Sequence, residues 1–260
     1  MSAVTAEQAE DLLLLEEAIG TEFVIVGAVA YRTAIPDSQR HTEDIDIALA
    51  LDLDDFGKLE TELVSHGWRH DEVQEQRWRG PSGSRVDILP VGTSSRAARK
   101  LTWPKSGIVM SLAGFDYAFQ QAVEIEMAQG LHVKVVPAPV LLLLKIVAYL
   151  DDPNRRAKDL EDIHGLLKSY PFESSRAFSD AVFDAELSDV EFVPAFLLGA
   201  DLASFCRLDD RVIVKRFLDI AADLESRTFS LLLRYEGRLE PSEERLVERF
   251  KAFTKGFSLA

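Results

Sequence analysis

The chain has 260 residues, 47% of them apolar and 28% charged, which suits one large or two modest globular domains. Lys and Arg total 29 against 44 Asp and Glu, a formal charge of -15 that excludes general coating of nucleic acid unless basic residues gather locally. The single cysteine, Cys206, excludes an intramolecular disulfide and a multi-cysteine zinc site, and suits a reducing cytoplasm.

Met1 to Gly20 carries five acidic residues, and no Lys or Arg precedes Arg32, the wrong charge pattern for a secretory or mitochondrial leader. Ala6 to Ala18 closes on Leu12 to Leu15 and is followed by Gly20, which predicts a first helix and its stop. Phe23-Val24-Ile25-Val26 reads as a short buried strand that ends at Gly27 and leads into a helix near Val29 to Thr33. After the loop opened by Pro36 and Asp37, Ile45, Ile47 and Leu49 alternate with Asp44, Asp46 and Ala48, the period-2 pattern of a strand with one buried face. A helix is expected from Asp54 to His66.

Val73 to Arg79 and Arg85 to Leu89 are strand-like, with Gly80-Pro81-Ser82-Gly83 as a hairpin connection. A second hairpin is predicted from Val123 to Met127 and Leu131 to Val135, turning at Gln129-Gly130. Beyond Pro139 the pattern turns helical: Val140 to Leu150, Arg156 to Ser169, Pro194 to Phe205, Asp210 to Glu225 and Ser242 to Lys255. Val140 to Leu150 is the longest apolar run, broken by Lys145 and short of the roughly 20 residues a spanning helix needs, so no membrane span is expected. Strands followed by helices predict an α+β domain over residues 1–136 and a helical domain over 137–260.

Residues i and i+2 of a strand share a face, so Asp44 and Asp46 point the same way while Ile45 and Ile47 enter the core. Two adjacent carboxylates need a positive partner, and a hard divalent cation that also takes up phosphate oxygens is one remedy; a solvated strand end is the bland alternative. Asp87 interrupts the apolar strand Arg85-Val86-Asp87-Ile88-Leu89, and beside Asp44 and Asp46 it completes a carboxylate triad suited to nucleotidyl transfer. Gly27-Ala28, at a strand-to-helix turn, is where backbone N–H groups can approach phosphate.

With Arg40-x-Thr42-x-Asp44-Ile45-Asp46 after that turn, the pattern resembles the polymerase-β type nucleotidyltransferase superfamily, in particular the AbiEii-like abortive-infection toxins of type IV toxin–antitoxin pairs. Lys145, followed by Lys158-Asp159-Leu160-Glu161-Asp162, resembles the lysine and Lys-Asp-x-x-Asp of that family, and the likeness covers roughly residues 20 to 170. Ala28 stands where the family more often has Gly or Ser, which removes a hydroxyl but leaves the backbone N–H.

The resemblance implies a mixed sheet with flanking helices followed by a helical domain, and a cytoplasmic enzyme that moves NMP from an NTP such as ATP to an acceptor hydroxyl with Mg²⁺ or Mn²⁺. It implies metal ligation by Asp44, Asp46 and Asp87, phosphate contacts from Gly27, Ala28, Arg40, Thr42 and Lys145, and an ordering role for Asp159. Transfer RNA or another RNA is the implied acceptor, with a cognate antitoxin as partner. A transferase acting on a small-molecule antibiotic and a catalytically silent binding protein of the same fold are the alternatives.

Asp162 reads equally well as part of a solvated helix face. All three tryptophans, Trp68, Trp78 and Trp103, fall near the basic stretch Arg69 to Lys105, which is +4 while the remainder is -19. They either pack in the core or stack on a nucleic-acid substrate. The five histidines lack metal-ligand spacing, and no serine sits in a nucleophile-elbow pattern.

Overall fold

The computed structural model describes residues 3–38, 42–236 and 242–259. It divides into two compact units, Met1–Pro137 and Ala138–Ala260. The first opens with α1 (Ala6–Ile19), whose N-terminus is closed by a reciprocal capping box between Thr5 and Gln8 and whose end is Gly20 in the left-handed conformation. There follow β1 (Phe23–Val26), α2 (Gly27–Ala34), β2 (Asp44–Leu49), α3 (Phe56–Ser65), β3 (Arg69–His70), β4 (Arg77–Arg79) and β5 (Arg85–Pro90). Then come α4 (Thr93–Ala98), β6 (Lys100–Thr102), β7 (Val109–Ser111), α5 (Phe115–Gln120), β8 (Val123–Glu126) and β9 (His132–Val135).

Seven strands form one mixed sheet in the order β3-β4-β5-β2-β1-β9-β8, and β6 and β7 make a separate hairpin. The centre is antiparallel between β1 and β2 and parallel between β2 and β5 and between β1 and β9. Alternation sorts the residues of β2, β4 and β5. Ile45, Ile47, Trp78, Val86 and Ile88 are fully buried, while Asp44, Asp46, Arg77, Arg85 and Asp87 keep contact with water on the other face. Val24 and Ile25 of β1 are buried as well, so the sheet centre is closed by apolar side chains that fix its register.

The β4–β5 hairpin is docked by one buried carboxylate. Asp11 of α1 accepts the backbone N–H groups of Ser82 at 2.8 Å and Ser84 at 2.9 Å, which holds the hairpin tip against the helix. Only a glycine fits beside it, because a Cβ at Gly80 would lie 2.3 Å from Asp11 Cγ. The strand expected over Val73 to Arg79 is shorter in the structure. Asp71 accepts the N–H groups of Val73 and Gln74 at 2.9 Å each, an Asx-type turn that competes with extended pairing until Arg77.

The second unit contains α6 (Ala138–Asp151), α7 (Asp159–Ser169), α8 (Asp180–Asp184), α9 (Val193–Phe205), α10 (Leu208–Ala222), α11 (Arg227–Glu236) and α12 (Ser242–Phe257). Its centre is the crossing of α9 and α12, where a Cβ on Gly256 would meet the Phe196 carbonyl oxygen at 1.9 Å. All three tryptophans are buried, Trp68 at 1%, Trp78 at 0% and Trp103 at 6% exposure, which settles their two readings for the core and against a stacking surface. Among the described residues no helix is long and apolar enough to cross a membrane.

Candidate active site

The expected carboxylates meet on one sheet face because of register. In the parallel pair, Asp46 lies opposite Asp87 and Asp44 opposite Arg85; in the antiparallel pair, Arg77 lies opposite Asp87 and Arg79 opposite Arg85. Residues opposite one another on neighbouring strands point to the same side, so three acidic and three basic side chains line one strip of the sheet.

Arg77 ties two of the carboxylates together. Its Nε donates to Asp87 Oδ1 at 2.8 Å, and its Nη2 donates to Asp87 Oδ2 at 2.9 Å and Asp44 Oδ2 at 3.1 Å. The bond to Asp87 is the main cause holding the guanidinium's pKa above its ordinary value, with burial opposing it and the charges of Asp87 and Asp44 adding to it. Arg85 Nε lies 2.7 Å from Asp44 Oδ1, and its Nη2 pairs with Glu43.

Asp46 sits at the turn from β1 into α2. Gly27 has φ +65, and a Cβ there would lie 2.0 Å from Asp46 Oδ2, so both the backbone conformation and the approach of the carboxylate require glycine. Val26 supplies no side-chain cap to α2, which leaves the helix's positive end facing this turn. Ala28, the second residue of α2, is buried at 7% exposure. Thr42 is committed to its own strand: its hydroxyl donates to the Asp44 carbonyl at 2.9 Å and accepts the Asp44 N–H at 3.3 Å. Arg40 lies outside the described residues.

Lys145 and Asp159 belong to the helical unit and bind each other. Lys145 Nζ is 2.7 Å from Asp159 Oδ1 and 2.7 Å from Asp162 Oδ2, with the lysine side chain 11% exposed and both aspartates 1% exposed. Burial pulls the lysine's pKa down, but the charges of Asp159 and Asp162 outweigh it and the value is raised, so the ammonium stays charged. Asp162, which reads equally well as a surface residue in the sequence, is an inward partner of this lysine.

The donor chemistry of Asp44, Asp46 and Asp87 suits a hard cation such as Mg²⁺, but their arrangement does not. Among the described residues no group of three or more His, Cys, Asp or Glu side chains is disposed to hold a metal ion. The counter-charge at the site comes instead from Arg77, which engages both oxygens of Asp87 and one of Asp44. Its partnership is the feature of the site that motif reading missed. A hairpin turning at Gly80 to Gly83, with Trp78 facing the core, is a signal that puts Arg77 and Arg79 on one face, but it does not give the register that sets Arg77 against Asp87.

A hollow of about 280 Å³ adjoins this strip, lined by Arg69, His70, Asp71, Arg77, Arg79 and Arg85 with Trp78 behind them. Trp78 stacks on His70 at 4.4 Å. Among the described residues neither Arg69 nor Arg79 has an acidic partner within ion-pair distance, so the hollow presents local positive charge on an acidic protein.

No curated protein matches the sequence. Among solved structures, the chain is similar to JHP933 from Helicobacter pylori, at 15% identity over 98% of this chain and 95% of that one, with a TM-score of 0.37. It is similar to an antigenic nucleotidyltransferase-like protein from Paracoccidioides brasiliensis at 16% identity, over 83% of this chain and 94% of that one, with a TM-score of 0.43. A third similar structure is the antibiotic-resistance factor ANT(2'')-Ia, at 13% identity over 62% of this chain and 82% of that one, with a TM-score of 0.38. The family model described as nucleotidyl transferase AbiEii toxin, type IV TA system, matches residues 13–249, nearly the whole chain, and the protein belongs to that family of nucleotidyltransferases.

Proposed function

We propose that the protein transfers an NMP from an NTP to a hydroxyl of an RNA, with transfer RNA as the leading acceptor, and that it acts as the toxin of a pair with a cognate antitoxin. The acceptor oxygen bonds to the α-phosphorus while the bond to the bridging oxygen of the β-phosphate breaks, releasing pyrophosphate. The observation that carries this reading is the register that puts Asp44, Asp46 and Asp87 on one sheet face.

In this scheme Gly27, Ala28 and Arg40 receive the phosphates, with the uncapped end of α2 supplying backbone N–H groups. Asp46, held against Gly27, is the fixed member of the triad, and Asp87 takes the proton of the acceptor hydroxyl once Arg77 has left it. Mg²⁺ or Mn²⁺ belongs to the proposal as the cofactor of the three carboxylates, although the present hold of Arg77 on Asp44 and Asp87 does not accommodate it. Lys145, buried and already neutralised, is better suited to positioning α6 and α7 with Asp159 than to gripping a triphosphate.

A cationic antibiotic is the second acceptor class, favoured by the net charge of -15. The arginine-lined hollow beside the carboxylates favours an anionic acceptor instead. Incubation with each α-labelled NTP, Mg²⁺ and total RNA, with Asp46→Ala alongside, tests the reading. Labelled RNA made only by the unsubstituted protein is the expected result. Equal labelling by a folded Asp46→Ala sinks the assignment of the site. Label entering aminoglycosides but never RNA moves the acceptor to the second class, and no labelled product in any pool favours the silent binding protein.

A further inference from the structure

The free edge of the sheet carries a row of like charge. Arg69 of β3 lies opposite Arg79 of β4, and Arg79 lies opposite Arg85 of β5, so three arginines follow one another across strands that run about 5 Å apart. Like charges set directly opposite cost stability unless something negative lies over them. Arg85 meets that need within the fold, through Glu43 and Asp44. Arg69 and Arg79 are exposed, line the hollow of about 280 Å³, and have no acidic partner within ion-pair distance among the described residues. Asp71, the carboxylate in that lining, is engaged by the N–H groups of Val73 and Gln74. Charge that only guards a free edge is needed on the outermost strand, β3, whereas this row continues inward to β4 and β5.

We propose that this hollow binds the phosphodiester backbone of a single RNA strand through Arg69 and Arg79 and so holds the acceptor beside the carboxylate strip. Guanidinium groups suit phosphate oxygens, which they meet with paired N–H donors. The row from Arg69 to Arg85 spans two strand spacings, about 10 Å, which is more than one phosphate covers and fits successive phosphates of a strand. The hollow is remote from the uncapped end of α2, which begins where β1 ends. β4 and β3 stand three and four strand spacings from β1, about 14 and 19 Å, so an NTP whose phosphates meet α2 leaves the hollow free for the acceptor. Asp87 is two residues along β5 from Arg85 and on the same face, so a strand lying on the arginine row reaches it. Residues 69–105 are +4 and the remainder of the chain is -19, which repels a polyanion elsewhere and confines its contact to this edge. This inference rests on the reading that the acceptor is an RNA, and adds where its backbone is held.

Fluorescence anisotropy of a short, mixed-sequence single-stranded RNA, titrated with the full-length chain without NTP, tests it. The double variant Arg69→Gln/Arg79→Gln is expected to bind about tenfold or more weakly at low salt. Its slope of log affinity against log salt should shrink by about 1.4, the counterions released by two phosphates of a single strand. Unchanged affinity and slope in a folded double variant overturn the proposal. Should that variant not fold, Arg69→Gln alone is expected to shrink the slope by about 0.7, and an unchanged slope overturns it equally. Lys215→Gln/Arg216→Gln removes the same charge from exposed positions of α10, and an equal loss there overturns the proposal because net charge, not the hollow, then holds the RNA. A double variant that loses affinity for ATP but keeps it for RNA assigns the hollow to the nucleotide and overturns it as well. The same holds if poly-glutamate binding is lost and RNA binding kept, which assigns the hollow to an acidic protein segment. Nucleotide transfer is read separately. RNA binding that depends on Arg69 and Arg79, with no transfer by the unsubstituted protein, leaves the hollow standing and removes the proposed function, whereas transfer to RNA with equal affinities does the reverse.

Discussion

Asp44 and Asp87 in the sheet unit are neutralised by arginines of neighbouring strands and stay partly open to water, at 30% and 13% exposure, whereas Asp159 and Asp162 in the helical unit close around one lysine at 1% each. Both groups carry residues that the family resemblance marks as functional, yet burial separates what they can do. A guanidinium on a half-open strip exchanges with water and with incoming ions at modest cost. An ammonium enclosed with two carboxylates cannot be removed without leaving charge in a medium that solvates it poorly. The first group keeps contact with water, and the second ties α6 to α7 through a buried ion pair.

The sharpest way to break this contrast is Lys145→Met, which keeps volume and leaves Asp159 and Asp162 without their shared cation. A stability loss of about 3–5 kcal/mol is expected in urea unfolding, the cost of breaking a buried ion pair from one side. A loss below about 1 kcal/mol would mean that this ion pair carries little and that Lys145 is free for another role.

Gly27→Ala probes the open group at its most constrained point. The residue has φ +65, and the new Cβ would stand 2.0 Å from Asp46 Oδ2. A loss of about 1–3 kcal/mol is expected from the conformation and the collision. Because Asp46 must move, nucleotide transfer should fall by about 100-fold or more. Full transfer by a stable Gly27→Ala would show that Asp46 need not lie against this turn.

What was legible in the sequence follows from which signals are local. The period-2 run Asp44 to Leu49 and the apolar strand Phe23 to Val26 stand as β2 and β1, and Gly20 does end α1 in the left-handed conformation. The helices of the second unit were likewise marked by composition, except the short α8 and α11. That helix, Arg227–Glu236, follows Asp223 to Ser226, whose turn-forming side chains obscure its start. The carboxylates of the site were visible as a motif; their arginine partners were not, because pairing across β4, β5 and β2 depends on register. The buried cluster of His164, Glu236 and Arg249 was invisible for the same reason. Its members come from three helices, with His164 Nε2 at 2.6 Å and Arg249 Nη2 at 2.8 Å from the Glu236 carboxylate.

That cluster extends the comparison to pH. Burial pushes the Glu236 carboxyl up, but hydrogen bonds from His164 and Arg249 prevail and lower it from 4.5 to about 2. A depressed carboxylate contributes fully above its unfolded value, so its stabilisation is complete above pH 4.5 and is lost as pH falls toward 2. Glu236→Gln should flatten the acid limb of the stability curve in that window. An unchanged slope between pH 4.5 and 2 would show that the cluster is not coupled to folding.

Arg79→Glu carries the smallest expected effect on stability and separates the sheet strip from both buried groups. Arg79 is exposed, and its guanidinium makes one hydrogen bond, to the Gly83 carbonyl at 3.2 Å, so stability should change by no more than about 0.5 kcal/mol. The hollow, however, loses one positive charge and gains a negative one close to Arg85 and Asp87. If an RNA backbone approaches this edge, its affinity should drop and the dependence of binding on salt should flatten. An anionic acceptor would then be bound by charge that the fold places on an otherwise acidic surface. Unchanged RNA labelling by Arg79→Glu across salt concentrations would instead show that the acceptor does not approach this strip of the sheet.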